Sequence, residues 1–241
     1  MSLLEIPLSL DLATPSDSVE SLIRKSEVTI DEFFAAGLGQ RYRKYIPSDP
    51  QVVYAAISSL LNEGHLEGGT FCEWGCGFAI ATGIASLLGM KAYGIEIEEE
   101  LAKRARRLMG QLQIPVEILR TDYLPEGFDE SEGIGGKDLV TPESITVRGE
   151  SVPLPQYDDL DPDEVDLFFV YPWPDQEEMM MDLFVSLASD GAILLIYQGD
   201  GEISAFLRVE GPDDSLIGAV EDGHDFQSQS QHPEEPGRMN Q

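Results

Sequence analysis

Two glutamates flank a glycine-rich bend in the stretch FCEWGCGFAIATGIASLLGMKAYGIEIEEELAKRARRL, residues 71–108. Glu73 closes a short apolar run. Gly75 and Gly77, with Cys76 between them, permit a sharp turn and close backbone approach to a ligand. The helix that follows aims its free amide groups into the same crevice. Glu96 stands 23 residues beyond Glu73, at the end of the next apolar run. A carboxylate at such a strand end can accept both hydroxyls of a ribose. The chemistry on offer is therefore capture of a nucleoside-like molecule. A dinucleotide fingerprint wants Gly or Ala three residues after Gly77, where this chain has the bulky Ile80. The pattern is better written Glu73-x-Gly75-x-Gly77-x-Ala79.

A second chemical cluster is Val170-Tyr-Pro-Trp-Pro-Asp175. In open parallel sheets the crevice lies beyond the carboxyl ends of the strands, so Tyr171, Trp173 and Asp175 are expected to face it. Tyr171 and Trp173 can wall a desolvated pocket and offer a cation–π contact of roughly 0.5–2 kcal/mol. Trp173 can equally pack on a final hairpin. Cys72 and Cys76 read as small buried apolar residues; without further Cys or His nearby they suggest neither a disulfide framework nor a metal site. His65, His224 and His232 are scattered along the chain, which argues against histidine-based catalysis.

The elements that must position these residues follow from periodicity. Pro50 to Leu61 has Asp49 as N-cap and apolar residues at three- and four-residue steps, predicting a helix. Strand–helix alternation is then expected: strand 70–74, helix 79–88, a strand ending at Ile95, helix 98–112 and strand 116–119. It resumes with strand 165–170, helix 176–188 and strand 192–197, and segments 203–209 and 215–220 are expected to pair as a hairpin. Units of this length indicate an α/β fold with a mainly parallel, doubly wound sheet. Residues 1–44 are expected to form an N-terminal helical extension that caps a main domain at 45–220. The Gly-, Pro- and acid-rich stretch 124–164 is expected to be an inserted flap with a hairpin turning at Gly149. Residues 221–241 have the composition of a disordered tail.

The first motif resembles that of the class I S-adenosylmethionine-dependent methyltransferases, whose Rossmann-like, seven-strand domain this pattern implies. The resemblance implies S-adenosylmethionine as cofactor, with Glu73 and the turn Gly75-Cys76-Gly77 at its methionine part and Glu96 at its ribose. It would place Thr121 and Asp122, at the end of the third strand of the alternation, near the adenine. The segment Tyr45-Ile-Pro-Ser-Asp49 with GIEIEEELAKRAR resembles, more narrowly, the small protein-lysine methyltransferases related to the ATP-synthase c-subunit enzyme. There a Pro-Ser/Thr segment helps close over the cofactor, which would map onto Pro47, Ser48 and Asp49. The loop at 170–175 is similar to the aromatic–proline motifs of amino-group and tRNA guanine-N7 methyltransferases. Tyr171 stands where those motifs carry a polar side chain, and Asp175 is the nearest replacement.

Charge narrows the partners. Fifteen Lys and Arg face 45 Asp and Glu, a formal charge of −30, so general coating of nucleic acid is excluded by repulsion while a local basic site is not. An acid-lined mouth would favour a basic acceptor, and the sequence reading is an enzyme that methylates an amine on a protein. The rivals are a tRNA or small-molecule methyltransferase and a cofactor-binding module without catalysis. Arg24, Lys25, Arg41, Arg43 and Lys44 lie ahead of Tyr45, where they could flank the entrance and touch RNA or an acidic protein. Lys103, Arg104, Arg106 and Arg107 follow an acidic helix start and complement the helix dipole. The N-terminus lacks the basic residues of a signal peptide, and no apolar run spans a bilayer; a cytoplasmic protein with no membrane partner is expected.

Overall fold

The computed structural model describes residues 2–10, 14–66, 69–124, 157 and 160–210. The strands are β1 (Ser2–Ile6), β2 (Thr70–Trp74), β3 (Lys91–Ile95), β4 (Glu117–Leu119), β5 (Leu167–Val170), β6 (Ile193–Gly199) and β7 (Glu202–Val209). The helices are α1 (Asp17–Ala35), α2 (Pro50–Asn62), α3 (Ile80–Leu87), α4 (Glu99–Leu112) and α5 (Glu177–Leu187). The strands form one sheet in the order β1-β7-β6-β5-β2-β3-β4. The five from β2 to β6 run parallel, and β7 is antiparallel to both β6 and β1. This is the mainly parallel, doubly wound α/β sheet that the alternation predicts.

Strand pleating divides the core. Phe71 and Phe169 pack with the buried stripes of α1, α2, α3 and α4 on one face. Their neighbours Cys72, Trp74 and Phe168 pack with Met179, Met180, Leu183 and Phe184 of α5 on the other. Near-continuous burial along β5 and β6 explains their unbroken apolar sequences. Helix α1 starts at Ser16, whose hydroxyl accepts the Val19 N–H, and α2 starts at Asp49, whose carboxylate accepts the N–H groups of Gln51 and Val52. No described helix is long and apolar enough to cross a membrane.

The sequence reading of residues 1–44 as a helical extension is corrected at its start. Ser2–Ile6 forms an edge strand in register with β7, from Ser2 opposite Val209 to Ile6 opposite Ala205. The cause is tertiary: β7 would otherwise be an eight-residue strand with one unpaired edge. Residue 124, 157 and 160–164 apart, the expected flap lies outside the described residues, as do the segment 215–220 and the tail 221–241.

The strand anchors through one residue. Ile6 is buried at 7% exposure, whereas Leu4 is 54% exposed. Ile6→Ala is expected to cost about 2–4 kcal/mol in urea denaturation, and Leu4→Ala to stay within roughly 0.5 kcal/mol. Equal effects would mean that β1 does not dock as described.

Candidate cofactor and acceptor cleft

The glycine bend forms where β2 ends and α3 begins. Gly75 has φ 70°, Gly77 φ 54° and Ala79 φ 59°, so the chain visits left-handed backbone three times in five residues. Only glycine adopts this freely, and alanine is the smallest residue that pays for it. The bend is tied to β3 because the Cys76 N–H donates to the Ile95 carbonyl at 2.8 Å. Gly94 makes room for that contact: a Cβ there would sit 2.7 Å from the Cys76 sulfur.

Two carboxylates are buried around this bend. Glu73, 6% exposed, accepts the Thr82 N–H at 2.9 Å and the Thr82 hydroxyl at 2.5 Å. Glu96, 5% exposed, accepts the Gly77 N–H at 2.7 Å and the Glu98 N–H at 2.8 Å. Ionised carboxylates offer about four acceptor sites, so each retains capacity for a ligand. Burial raises both carboxyls from their ordinary range to about 7, against the hydrogen bonds that pull them down. A rise of that size corresponds to about 3 kcal/mol against the charged form. The same burial, reinforced by the two glutamates, pushes the Cys76 thiol well up and keeps it un-ionised.

Beyond the carboxyl ends of β2, β3 and β5 lies a cleft of about 470 Å³, within the range of small-molecule sites. It opens where the chain order reverses, between β2 and β5, which is where open α/β sheets bind ligands. Its floor includes Trp74, Gly75 and Glu96, and one end carries Glu98, Asp122 and Tyr123. Tyr171, Pro172, Trp173 and Gln176 form a second wall, and residues 40–46 a third. A narrower hollow of about 30 Å³ adjoins it, lined among others by Ser48, Glu73, Gly75, Cys76 and Tyr171. Tyr45 borders both spaces.

The expected site residues therefore divide. Gly75, Glu96, Asp122, Tyr171 and Trp173 border the cleft, while Ser48, Glu73 and Cys76 border only the hollow. Gly77 borders neither: a Cβ on it would overlap the ring of Tyr45, which packs 4.7 Å from Phe78. Thr121 is buried outside the lining, and its hydroxyl has no partner among the described residues. Asp175 is exposed, with φ 68°, and does not line the cleft. The expectation that it replaces the polar residue missing at 171 is corrected: the left-handed turn at 175 directs Asp175 outward and brings Gln176 to the wall. Arg41, Arg43 and Lys44 also line the cleft, together with the acids Glu96, Glu98 and Asp122.

The residues that sequence reasoning missed are Tyr45, Trp74, Tyr123 and Gln176. Tyr45 adjoins the Pro47-Ser48 segment already singled out, but only the packing of Phe33 and Phe78 against its ring places it over the bend. Its hydroxyl is buried with no partner among the described residues.

No family model matches the chain, and no curated protein does. Solved structures similar to it include an RNA methyltransferase from Salinibacter ruber with S-adenosyl-L-homocysteine (16% identity, 70% of this chain and 98% of that one, TM-score 0.45). Others are an O-methyltransferase from Bacillus cereus (17%, 77% and 68%, TM-score 0.44) and magnesium protoporphyrin IX methyltransferase from Synechocystis PCC 6803 (14%, 81% and 97%, TM-score 0.43). Likeness at this level assigns this chain no function.

The buried acids set a pH dependence. Each has a folded pKa of about 7, above its unfolded value of 4.5. The native state therefore binds more protons than the unfolded one between those values, and stability falls as pH rises through that window. In urea denaturation, Glu96→Gln is expected to gain on the wild type from pH 5 to pH 8 by up to about 3 kcal/mol. A difference independent of pH would show that Glu96 is not held in the buried state described.

Proposed function

We propose that this protein is an S-adenosylmethionine-dependent methyltransferase acting on an amine nitrogen. The observation that carries the reading is the Glu96 carboxylate, buried at the β3 end and bordering the cleft at the switch point beside the Gly75 bend. Its remaining acceptor sites suit the paired hydroxyls of a ribose. The donor set fits the rest of such a cofactor as well. Asp122 and Tyr123 flank the end of the cleft suited to a base, while the orphaned Tyr45 hydroxyl and Glu73 stand by the narrow hollow. Two carboxylates made costly by burial favour a cationic ligand, and a sulfonium is one.

Bound in this cleft, S-adenosylmethionine would supply an activated methyl group on a sulfonium sulfur for transfer to the acceptor nitrogen. The chain's own work is positional. Tyr171, held edge-on to Tyr197 at 4.8 Å, and Trp173 hold the acceptor and exclude water; alignment supplies much of the rate in such transfers. A protonated amine must first lose its proton, which a desolvated aromatic pocket assists by lowering its pKa.

Net charge favours a basic protein as the acceptor. The three cations on the cleft wall favour the second reading, a methyltransferase of RNA or of an anionic small molecule, because they sit at the entrance itself. Calorimetric titration tests the common core of both. S-adenosylmethionine and S-adenosylhomocysteine are expected to bind the wild type, and Glu96→Ala to weaken each by about 10- to 100-fold, the worth of hydrogen bonds to a charged group. Unchanged affinity in the variant would contradict the reading.

A further inference from the structure

Two walls of the cleft, that of Trp173 and Gln176 and that of residues 40–46, hold a combination that cofactor binding does not use. Gln176 is 2% exposed. It occupies the N-cap position of α5 but makes no side-chain cap bond, and Asn, Asp, Ser or Thr would be the ordinary choice there. Its backbone is satisfied: the N–H donates to the Trp173 carbonyl and its own carbonyl accepts the Met180 N–H, both at 3.0 Å. The side-chain amide nitrogen, by contrast, is buried with no partner among the described residues, an arrangement that costs about 1–3 kcal/mol unless something pairs with it. Gln176 borders the cleft together with the ring of Trp173.

Arg41 and Arg43 line the same cleft and are exposed. Two acids, Glu98 and Asp122, line the cleft with them. Glu98 borders the cleft and feels Arg41, Lys44 and Arg120, yet burial still leaves its carboxyl raised; Asp122 lies at the same end. In a chain with three acids for every base, cations gathered on one wall of this cleft mark where negative charge is tolerated. Guanidinium forks suit phosphate bidentately.

We propose that these two walls together form the acceptor subsite and take a nucleotide: a planar ring beside Trp173, its amide-like edge paired with the Gln176 carboxamide, and its phosphate across the cleft at Arg41 and Arg43. The carboxamide is the side chain that reads such edges, and an aromatic face beside a base is worth about 1–3 kcal/mol. The assignment rests on the methyltransferase reading in its second form, with a nucleotide in place of a basic protein as acceptor, but it stands or falls on binding alone. A free nucleotide and a residue within RNA share this chemistry.

The test uses the full chain, a fluorescein-labelled mixed-sequence single-stranded RNA 12-mer, the four nucleoside monophosphates as competitors and a lysine-rich peptide. The 12-mer is expected to bind with log K falling against log salt with a slope of about −1.4, as for two phosphate contacts on a single strand. Arg41→Glu with Arg43→Glu should weaken it at least tenfold and flatten the slope. Gln176→Leu should weaken it about tenfold with the slope kept, its thermal melt confirming a folded protein. Competition by a monophosphate assigns the site to free nucleotides, and its absence to RNA; both support the subsite. The proposal is overturned if the wild type binds neither nucleotide form, if the peptide binds and charge reversal tightens it, or if the variants bind like the wild type. Titration of S-adenosylhomocysteine into the same wild-type protein separates the failures. Nucleotide binding without it sinks the methyltransferase reading alone, and the reverse sinks this subsite alone.

Discussion

Everything in this molecule turns on two carboxylates taken out of water at adjacent strand ends. Glu73 and Glu96 are kept in place by amide and hydroxyl donors from the bend, from α3 and from the residue ahead of α4, not by burial of apolar surface. Each bond partly offsets desolvation without abolishing it, so both carboxyls sit near 7 and stay expensive to ionise. Such an arrangement persists where something else repays it. The sheet order supplies the place: neighbouring connections diverge from β2, leaving a broad cleft between its end and that of β5.

The bend depends on this pair as much as the pair depends on the bend. Gly77 donates to Glu96 while its open side is covered by Tyr45. Cys76 folds under the turn onto the bare face of Gly94. The positive backbone angles at 75, 77 and 79 are therefore over-determined, by hydrogen bonds from one side and aromatic packing from the other. The same aromatic cluster joins α1 to the site through Phe33, so the N-terminal helix helps hold the cleft wall.

The central strands were legible because their chemistry is local. An apolar run, two glycines and an acid are enough to specify β2, the bend and α3, and Asp49-Pro50 is enough to start α2. What escaped is what depends on distant partners. Ser2–Ile6 has too few residues to show a period, and it is a strand only because β7 offers it an edge. The exchange of Asp175 for Gln176 at the cleft rests on one left-handed residue, and aspartate adopts that backbone too occasionally for sequence to announce it. Tyr45 needed the meeting of α1 and α3, and the basic wall needed residues 40–44 to be laid beside Glu98, a juxtaposition that net charge conceals.

Proton release on binding tests the central claim most directly. Calorimetry at pH 6.5 in two buffers of different ionisation enthalpy counts the protons that leave when S-adenosylmethionine or S-adenosylhomocysteine binds. With both glutamates near 7 and a sulfonium arriving beside them, the account predicts release of about one proton for the sulfonium and distinctly less for the neutral thioether. Equal and negligible release for the two would contradict it.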